Sequence, residues 1–148
     1  MADRFSKEKR SRIMASISAT DSKPEIVIRK YLFGLGYRYR KNVKALPGKP
    51  DLVLKRFKTT ILIHGCFWHG HDNCPAAAKP KSNSDFWIKK IHANKVRDAR
   101  NLQALEKLGW NIITIWQCHV KNKAAFEQTM RKVAHKLSLQ DTRKSEEA

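Results

Sequence analysis

The chain has 148 residues, a length that suits one domain with a single core. Lysine and arginine number 31 against 13 aspartate and glutamate residues, so the formal charge is +18. This charge favours a polyanionic partner, above all nucleic acid, with an anionic membrane surface as the alternative. No apolar run approaches the roughly 18 residues of a transmembrane helix, and the first 20 residues lack the apolar stretch of a signal peptide. Three cysteines do not suit a disulfide framework. A cytoplasmic protein is therefore expected.

The first predicted elements are a helix and a meander of strands. Asp21 or Ser22 can cap the helix, and Gly34 or Gly36 can end it. Three short extended runs follow, separated by Pro-Gly and lysine-rich turns. These runs cover residues 37–43, 51–54 and 59–64.

The second half of the chain predicts two helices around a strand. Asp85 can cap a long basic helix that runs to about Leu108 and is ended by Gly109. Residues 110–116 form an apolar, β-branched strand, and a last helix covers 124–139. This order favours an α/β fold in which helices flank a mixed sheet, of the restriction-endonuclease type.

Asp51, at the head of the second extended run, is the candidate ligand for a catalytic metal. Cleavage of a phosphodiester at neutral pH favours a hard cation such as Mg²⁺, which binds one or two carboxylates and waters. Pro50 fixes the backbone before Asp51, although Pro-Asp pairs also mark ordinary turns. Glu25, in the first turn of the first helix, can hold a metal-bound water or simply favour the helix N-terminus.

Residues 61–75 contain three histidines and two cysteines, a density that packing rarely requires. Cys66, His71 and Cys74 have a C-x4-H-x2-C spacing, and Cys118 can join them if the 110–116 strand lies beside the 59–64 strand. The set predicts a closed, structural zinc site. His69 or His119 could substitute for a member of the set, and Cys118 could instead be a buried apolar thiol.

His64 and His69 are candidates for phosphate chemistry. A neutral imidazole can take a proton from water, and an imidazolium can stabilise charge on a phosphate. Zinc ligation or a surface position is the alternative for each.

Phe67 and Trp68 occupy a glycine-flanked loop, where aromatic side chains can act as wedges in a base stack. Phe86 and Trp87 open the long helix and pose the same choice between DNA contact and core packing, and Trp87 is favoured as the DNA contact.

Taken together, these motifs resemble the very short patch repair (Vsr) endonucleases, which nick DNA at thymine-guanine mismatches left by deamination of 5-methylcytosine. The resemblance covers nearly the whole chain, and the His64 to His69 run is its most specific part. It rests on Arg10-Ser11, Met14, Ala19-Thr20-Asp21, the Leu46 to Asp51 run, His64 to His69, Phe86-Trp87, Leu108-Gly109-Trp110, Trp116 and Cys118.

The resemblance implies a Mg²⁺-dependent endonuclease that nicks 5′ to the mismatched thymine. It implies a single endonuclease domain over 1–148, with a basic N-terminal arm at 1–20 and a flexible tail at 140–148. For catalysis, the resemblance implies that Asp51 binds Mg²⁺, that Glu25 supports its water shell, and that His64 and His69 act on the scissile phosphate. It implies a structural Zn²⁺ site made by Cys66, His71, Cys74 and Cys118. For DNA binding, it implies intercalation by Phe67, Trp68 and Trp87, and closure of an arm around Met14 over DNA.

One departure from the wider restriction-endonuclease pattern follows the Pro-Asp pair. An acidic residue and a lysine are usual there, whereas this sequence has Leu62 and His64. A backbone carbonyl and waters must then complete the metal shell of Asp51. The nonpolar side chain of Ile63 limits that position to a backbone role.

The expected partner is double-stranded DNA with a thymine-guanine mismatch, bound by a monomer in the bacterial cytoplasm at the nucleoid. Mismatch-repair proteins are further candidate partners. Two alternatives stay open: a related Mg²⁺-dependent nuclease of other specificity, and a zinc-stabilised DNA-binding module without catalysis.

Overall fold

The computed structural model describes residues 22–142, in which a four-stranded mixed sheet is flanked by helices. The expected arm with Met14, the alternative cap Asp21 and residues 143–148 lie outside the described residues. In chain order the elements are α1 (Lys23–Gly34), β1 (Arg40–Lys41), β2 (Leu52–Leu54), β3 (Thr59–His64), α2 (Ser84–Lys107), β4 (Asn111–Trp116) and α3 (Lys123–Leu139), with short 3-10 turns at Lys55–Phe57, Pro75–Ala77 and Gln117–Val120.

Helix α1 begins as its sequence predicts. The Glu25 N–H donates to Ser22 Oγ at 3.4 Å, so Ser22 is the N-cap, and a proline lies in the first turn. Ile28 and Leu32, four residues apart on one face, are fully buried. The N-terminus of α1 is therefore fixed against the body of the protein, with Glu25 in its first turn.

The sheet has the order β1-β2-β3-β4. β1 and β3 pair antiparallel with β2, which confirms the predicted meander, and β4 pairs parallel with β3 in a register that places Trp116 beside His64. A parallel pair needs a long crossover, which α2 provides. The carboxyl ends of β3 and β4 therefore lie together at one edge of the sheet.

Two elements have boundaries that differ from the prediction by more than one residue. Strand β1 is confined to Arg40–Lys41 because Asn42 adopts a left-handed conformation (φ 48°) that ends the regular ladder. Helix α2 begins after Asn83, so Asp85 lies in its first turn and is not its N-cap. The predicted end is confirmed, since Gly109 (φ 87°) reverses the chain and its N–H donates to Glu106 O at 2.9 Å.

The main core lies between the sheet and helices α1 and α3. Its members include apolar residues of both helices and of strands β2, β3 and β4: Ile28, Leu32, Leu52, Leu54, Ile61, Ile113, Ile115, Met130, Val133 and Leu137. Helix α2 adds little to this core, because only Ile91 and Leu105 of its 24 residues are buried. Much of α2 is thus available to contact other molecules.

The end of the described chain is attached to the body. Asp141, which belongs to the tail expected from residue 140, is buried, and both its carboxylate oxygens accept from the Arg56 guanidinium at 2.9 and 2.8 Å. Gln140 Oε1 also accepts from Asn111 Nδ2 at 3.0 Å. None of the helices between residues 22 and 142 is both long and apolar enough to cross a membrane.

Candidate active site and metal centre

A cleft of about 710 Å³ opens where the carboxyl end of β3 meets the N-terminus of α1, the loop before β2 and the middle of α2. All four of the predicted catalytic residues line it, and so do Trp68 and Asp98. The four are Glu25, Asp51, His64 and His69. The fold therefore brings together side chains that are up to 44 positions apart in the sequence.

Asp51 is held by the neighbouring strand. The Ile63 N–H donates to Asp51 Oδ2 at 2.6 Å, which is the backbone role expected for position 63. Burial is the main cause that raises the pKa of Asp51 to about 6; the Ile63 hydrogen bond opposes this rise and the negative charge of Glu25 adds to it. The charged carboxylate is therefore in a place where a bound cation would stabilise it.

Glu25 fits both of its predicted roles. It is only 6% exposed, its Oε1 accepts from the Ser22 hydroxyl at 3.1 Å, and its Oε2 lies 3.8 Å from Arg29 one turn later. It is thus an acidic residue in the first turn of α1 and, at the same time, a second carboxylate in the cleft.

His64 and His69 form a stacked pair, with ring centroids 3.8 Å apart and planes within 4°. His69 Nδ1 lies 2.6 Å from Asp98 Oδ2. His64 Nδ1 is buried without a hydrogen-bond partner among the described residues, and burial, with the nearby charge of His69, lowers the pKa of His64 to about 4. His64 is consequently neutral at pH 7, and His69 is the imidazole that a carboxylate supports.

The cysteines form a second centre beside the cleft. The ligand atoms of Cys66, His71, Cys74 and Cys118 all lie within 4.8 Å of one another. Cys118 Sγ is 3.4 Å from His71 Nδ1, and the Cys118 N–H donates to Cys66 Sγ at 3.4 Å. The parallel pairing of β3 with β4 produces this approach, as the sequence analysis required.

This donor set fits a structural zinc ion. Burial and the neighbouring thiols raise the pKa of Cys118 to about 12, so crowded thiolates here need a cation for stability. Three thiolates and one imidazole match a closed tetrahedral site. His69 is engaged by Asp98 instead, and His119 Nδ1 accepts from the Trp116 N–H at 3.3 Å, so His71 is the histidine that the geometry places in the set.

Four aromatic side chains cluster at the rim of the cleft. Trp68 and Trp87 both lie edge-on to Phe67, each with 5.2 Å between ring centroids, and Phe86 contacts Trp87 at 5.0 Å. Trp68 is 39% exposed and Phe86 58% exposed. The cluster is thus partly packed against itself and partly open to solvent, which suits a surface that contacts another molecule.

The family model described as DNA mismatch endonuclease Vsr matches residues 2–75, half of the chain. The type II nicking enzyme V.NmeAIP of Neisseria meningitidis is 46% identical over 137 residues, which cover 93% of this chain and 97% of that protein. The chain belongs to the Vsr family.

Two further relatives support the membership in Vsr. The DNA mismatch endonuclease Vsr of Escherichia coli is 36% identical over 123 residues, covering 83% of this chain and 78% of that protein. The type II nicking enzyme V.XorIIP of Xanthomonas oryzae is 40% identical over 133 residues, covering 90% and 97%. Membership makes this chain a DNA endonuclease, while its preferred site on DNA is a separate question.

Asp98 is a carboxylate of the cleft that was not predicted from the sequence. It lies outside the part of the chain matched by the Vsr model and has no motif around it. A signal was nevertheless present, because α2 has an inward face at intervals of three and four residues on which Asp98 is the one acid. That face consists of Ile91, Asn94, Asp98, Asn101 and Leu105.

Proposed function

We propose that this Vsr-family protein is a strand-specific endonuclease that nicks DNA 5′ to the thymine of a thymine-guanine mismatch. The observation that carries the proposal is the convergence of Asp51, Glu25, His64 and His69 on one cleft, beside an aromatic cluster at its rim. The four-stranded mixed sheet flanked by helices is consistent with the restriction-endonuclease type of fold, which we include in the proposal.

Asp51 would hold the catalytic Mg²⁺, with Glu25 supporting the water shell. A buried carboxylate with a raised pKa beside a second carboxylate is a fitting donor set for a hard cation. Mg²⁺ bound there would neutralise charge on the scissile phosphate and make a bound water more acidic. The Ile63 N–H holds one carboxylate oxygen of Asp51 in place, and the residue lines the cleft.

The two imidazoles would divide the proton chemistry. If His69 Nδ1 carries its proton toward Asp98, then Nε2 is the acceptor that can take a proton from the attacking water, and Asp98 stabilises the resulting imidazolium. His64, neutral at pH 7, would act on the same phosphate through a hydrogen bond. Attack by water on that phosphate leaves a 3′-hydroxyl and a 5′-phosphate.

Cys66, His71, Cys74 and Cys118 would hold a zinc ion that fixes the loop between them. Four protein ligands leave no position for a reacting water, so this centre would be structural. The loop carries Phe67, Trp68 and His69 between the first two ligands. Holding it in place would therefore align the aromatic rim with the catalytic histidine.

Phe67, Trp68 and Trp87 would insert beside the mismatch, and the N-terminal arm around Met14 would close over the DNA. Separating a base step costs a few kcal/mol, and less where the pair is already weakly stacked. A thymine-guanine pair would therefore be selected by its low cost of distortion. The substrate would place the enzyme at the nucleoid of the bacterial cytoplasm.

The deciding experiment is a nicking assay with Mg²⁺ on thymine-guanine and matched duplexes of the same sequence. We expect fast nicking of the mismatched duplex and its loss in Asp51→Asn, with DNA binding retained. Glu127→Gln, which removes an exposed carboxylate from α3, is the control and should nick at the normal rate. Equal nicking of both duplexes would refute mismatch specificity, and full activity of Asp51→Asn would refute the assigned site.

A related nicking enzyme of other specificity is the second candidate, since two of the relatives above carry the name type II nicking enzyme. The same assay with varied flanking bases separates the two. Binding without nicking of any duplex would instead support a DNA-binding module without catalysis.

A further inference from the structure

The charge of the cleft contrasts with the charge of the whole chain. The protein carries +18, yet three carboxylates line the cleft, those of Glu25, Asp51 and Asp98. Lys49 is the single lysine or arginine that lines it within residues 22–142. A cleft that receives the DNA backbone, as the proposed function requires, gains from a cation placed to meet a phosphate.

The backbone holds Lys49 in a conformation that is rare for lysine. Its φ is +47°, directly after Gly48 at +75°, and its N–H donates to Leu46 O at 3.1 Å to close the turn. A Cβ added at Gly48 would come within 3.0 Å of Asn101, so the turn packs closely against α2, and Pro50 on the other side is fully buried. The Lys49 backbone is therefore fixed two residues before Asp51.

Lys58 offers a comparison because it is also an exposed lysine with a left-handed backbone, at φ +49°. Like Lys49, it closes a turn, since its N–H donates to Lys55 O at 3.0 Å. Its ammonium, however, lies 4.2 Å from the centre of the Trp110 ring. The Lys49 side chain has no hydrogen bond, ion pair or ring contact within residues 22–142. The two lysines therefore share a backbone conformation, and Lys49 differs in carrying an ammonium into the cleft that none of the described residues engages.

We propose that Lys49 binds a phosphate of the cleaved DNA strand and holds that strand against Asp51. The ammonium would donate charge-assisted hydrogen bonds to phosphate oxygens and would displace a condensed counterion. Strained backbone conformations concentrate where a side chain must be aimed at a ligand, which agrees with this role. The role depends on the cleft receiving DNA but not on the preference for a mismatch.

Matched variants test this role. Lys49→Asn removes the ammonium but keeps the backbone, because asparagine tolerates left-handed angles. Lys58→Asn makes the same change at the same backbone conformation away from the cleft. Lys49→Arg restores a cation that binds phosphate well. Each protein is measured for duplex binding over a range of salt concentrations and for single-turnover nicking with Mg²⁺.

For Lys49→Asn, the slope of log binding constant against log salt should fall by about 0.9, the loss of one phosphate contact. Nicking should slow about tenfold, with recovery in Lys49→Arg, because a charge-assisted contact near the reacting phosphate is lost. Lys58→Asn should leave both measurements unchanged. An unchanged slope and rate in Lys49→Asn, or equal effects of both asparagine variants, would overturn the assignment.

Failure of the proposed function would be visible separately. If the wild-type protein nicks matched and mismatched duplexes equally, mismatch specificity is refuted, but the comparison of Lys49 with Lys58 still holds on either duplex. If the wild-type protein nicks neither duplex, the salt dependence of binding alone decides the assignment of Lys49.

Discussion

Replacing Asp51 with asparagine should stabilise the metal-free active site. Burial raises the pKa of Asp51 to about 6 in the folded protein, from an ordinary value of 3.8. One pKa unit corresponds to about 1.4 kcal/mol, so at pH 7 the charged carboxylate lowers the free energy of unfolding by at most about 3 kcal/mol. The asparagine side chain would carry no charge, and its amide oxygen could still accept from the Ile63 N–H.

The sign of the pH dependence follows from the direction of the shift. A raised pKa means that the folded protein binds the Asp51 proton more tightly than the unfolded chain does. The contribution of protonated Asp51 to the free energy of unfolding is therefore complete below about pH 4 and is lost as the pH rises through about 6. The advantage of Asp51→Asn should therefore be full at pH 7.5 and absent below pH 4. For a chain of this size it corresponds to an increase in Tm of up to roughly 10 °C.

The assay is thermal unfolding of zinc-loaded protein without added Mg²⁺, at pH 7.5 and at the lowest pH where zinc is retained. Glu127→Gln is the control and should melt like the wild type at every pH. Added Mg²⁺ should raise the Tm of the wild type and leave that of Asp51→Asn unchanged. The reasoning is refuted if Asp51→Asn melts at or below the wild-type temperature at pH 7.5, or if its advantage does not shrink with falling pH.

Three other predictions follow from the site. Asp98→Asn should slow single-turnover nicking about 100-fold or more, because the amide no longer fixes the His69 tautomer. Its affinity for DNA should be unchanged, and a normal nicking rate would refute the role of Asp98 in the site. Metal analysis should find one zinc per chain in His119→Ala and little in Cys118→Ser, which should also melt earlier; the reverse would show that His119 is the ligand. Trp87→Ala should bind mismatched duplex about tenfold more weakly, through the loss of one stacking contact. Phe33→Ala removes an exposed ring that does not line the cleft and should bind normally; equal losses would argue against intercalation.

The secondary structure was largely predictable because its signals are local. Ser22 and Gly109 mark helix ends through backbone chemistry that acts within a few residues. Short runs of extended or apolar, β-branched residues between turns identify the strands. Asn83 was missed as the N-cap of α2 because its backbone is left-handed and its side chain makes no capping bond, so nothing in its identity distinguishes it from Asp85. The early end of β1 likewise depends on the conformation of Asn42.

The site was predictable only in part, because much of it depends on long-range packing. The spacing of Cys66, His71 and Cys74 indicates a metal centre, but the fourth ligand follows only from the pairing of β3 with β4. Asp98 reaches His69 across 29 positions, and its approach depends on how α2 rotates against the loop. The local sequence of α2 does not encode this rotation; its one relevant signal is that Asp98 is the single acidic residue on the inward face of the helix.

The thiol cluster joins two distant parts of the chain, since Cys66 and Cys118 are 52 positions apart. During synthesis on the ribosome, the first two thiols emerge well before the third, and β4 must join the sheet before the set is complete. The zinc ion that we propose would therefore bind all four ligands only in a chain whose β4 has already paired with β3.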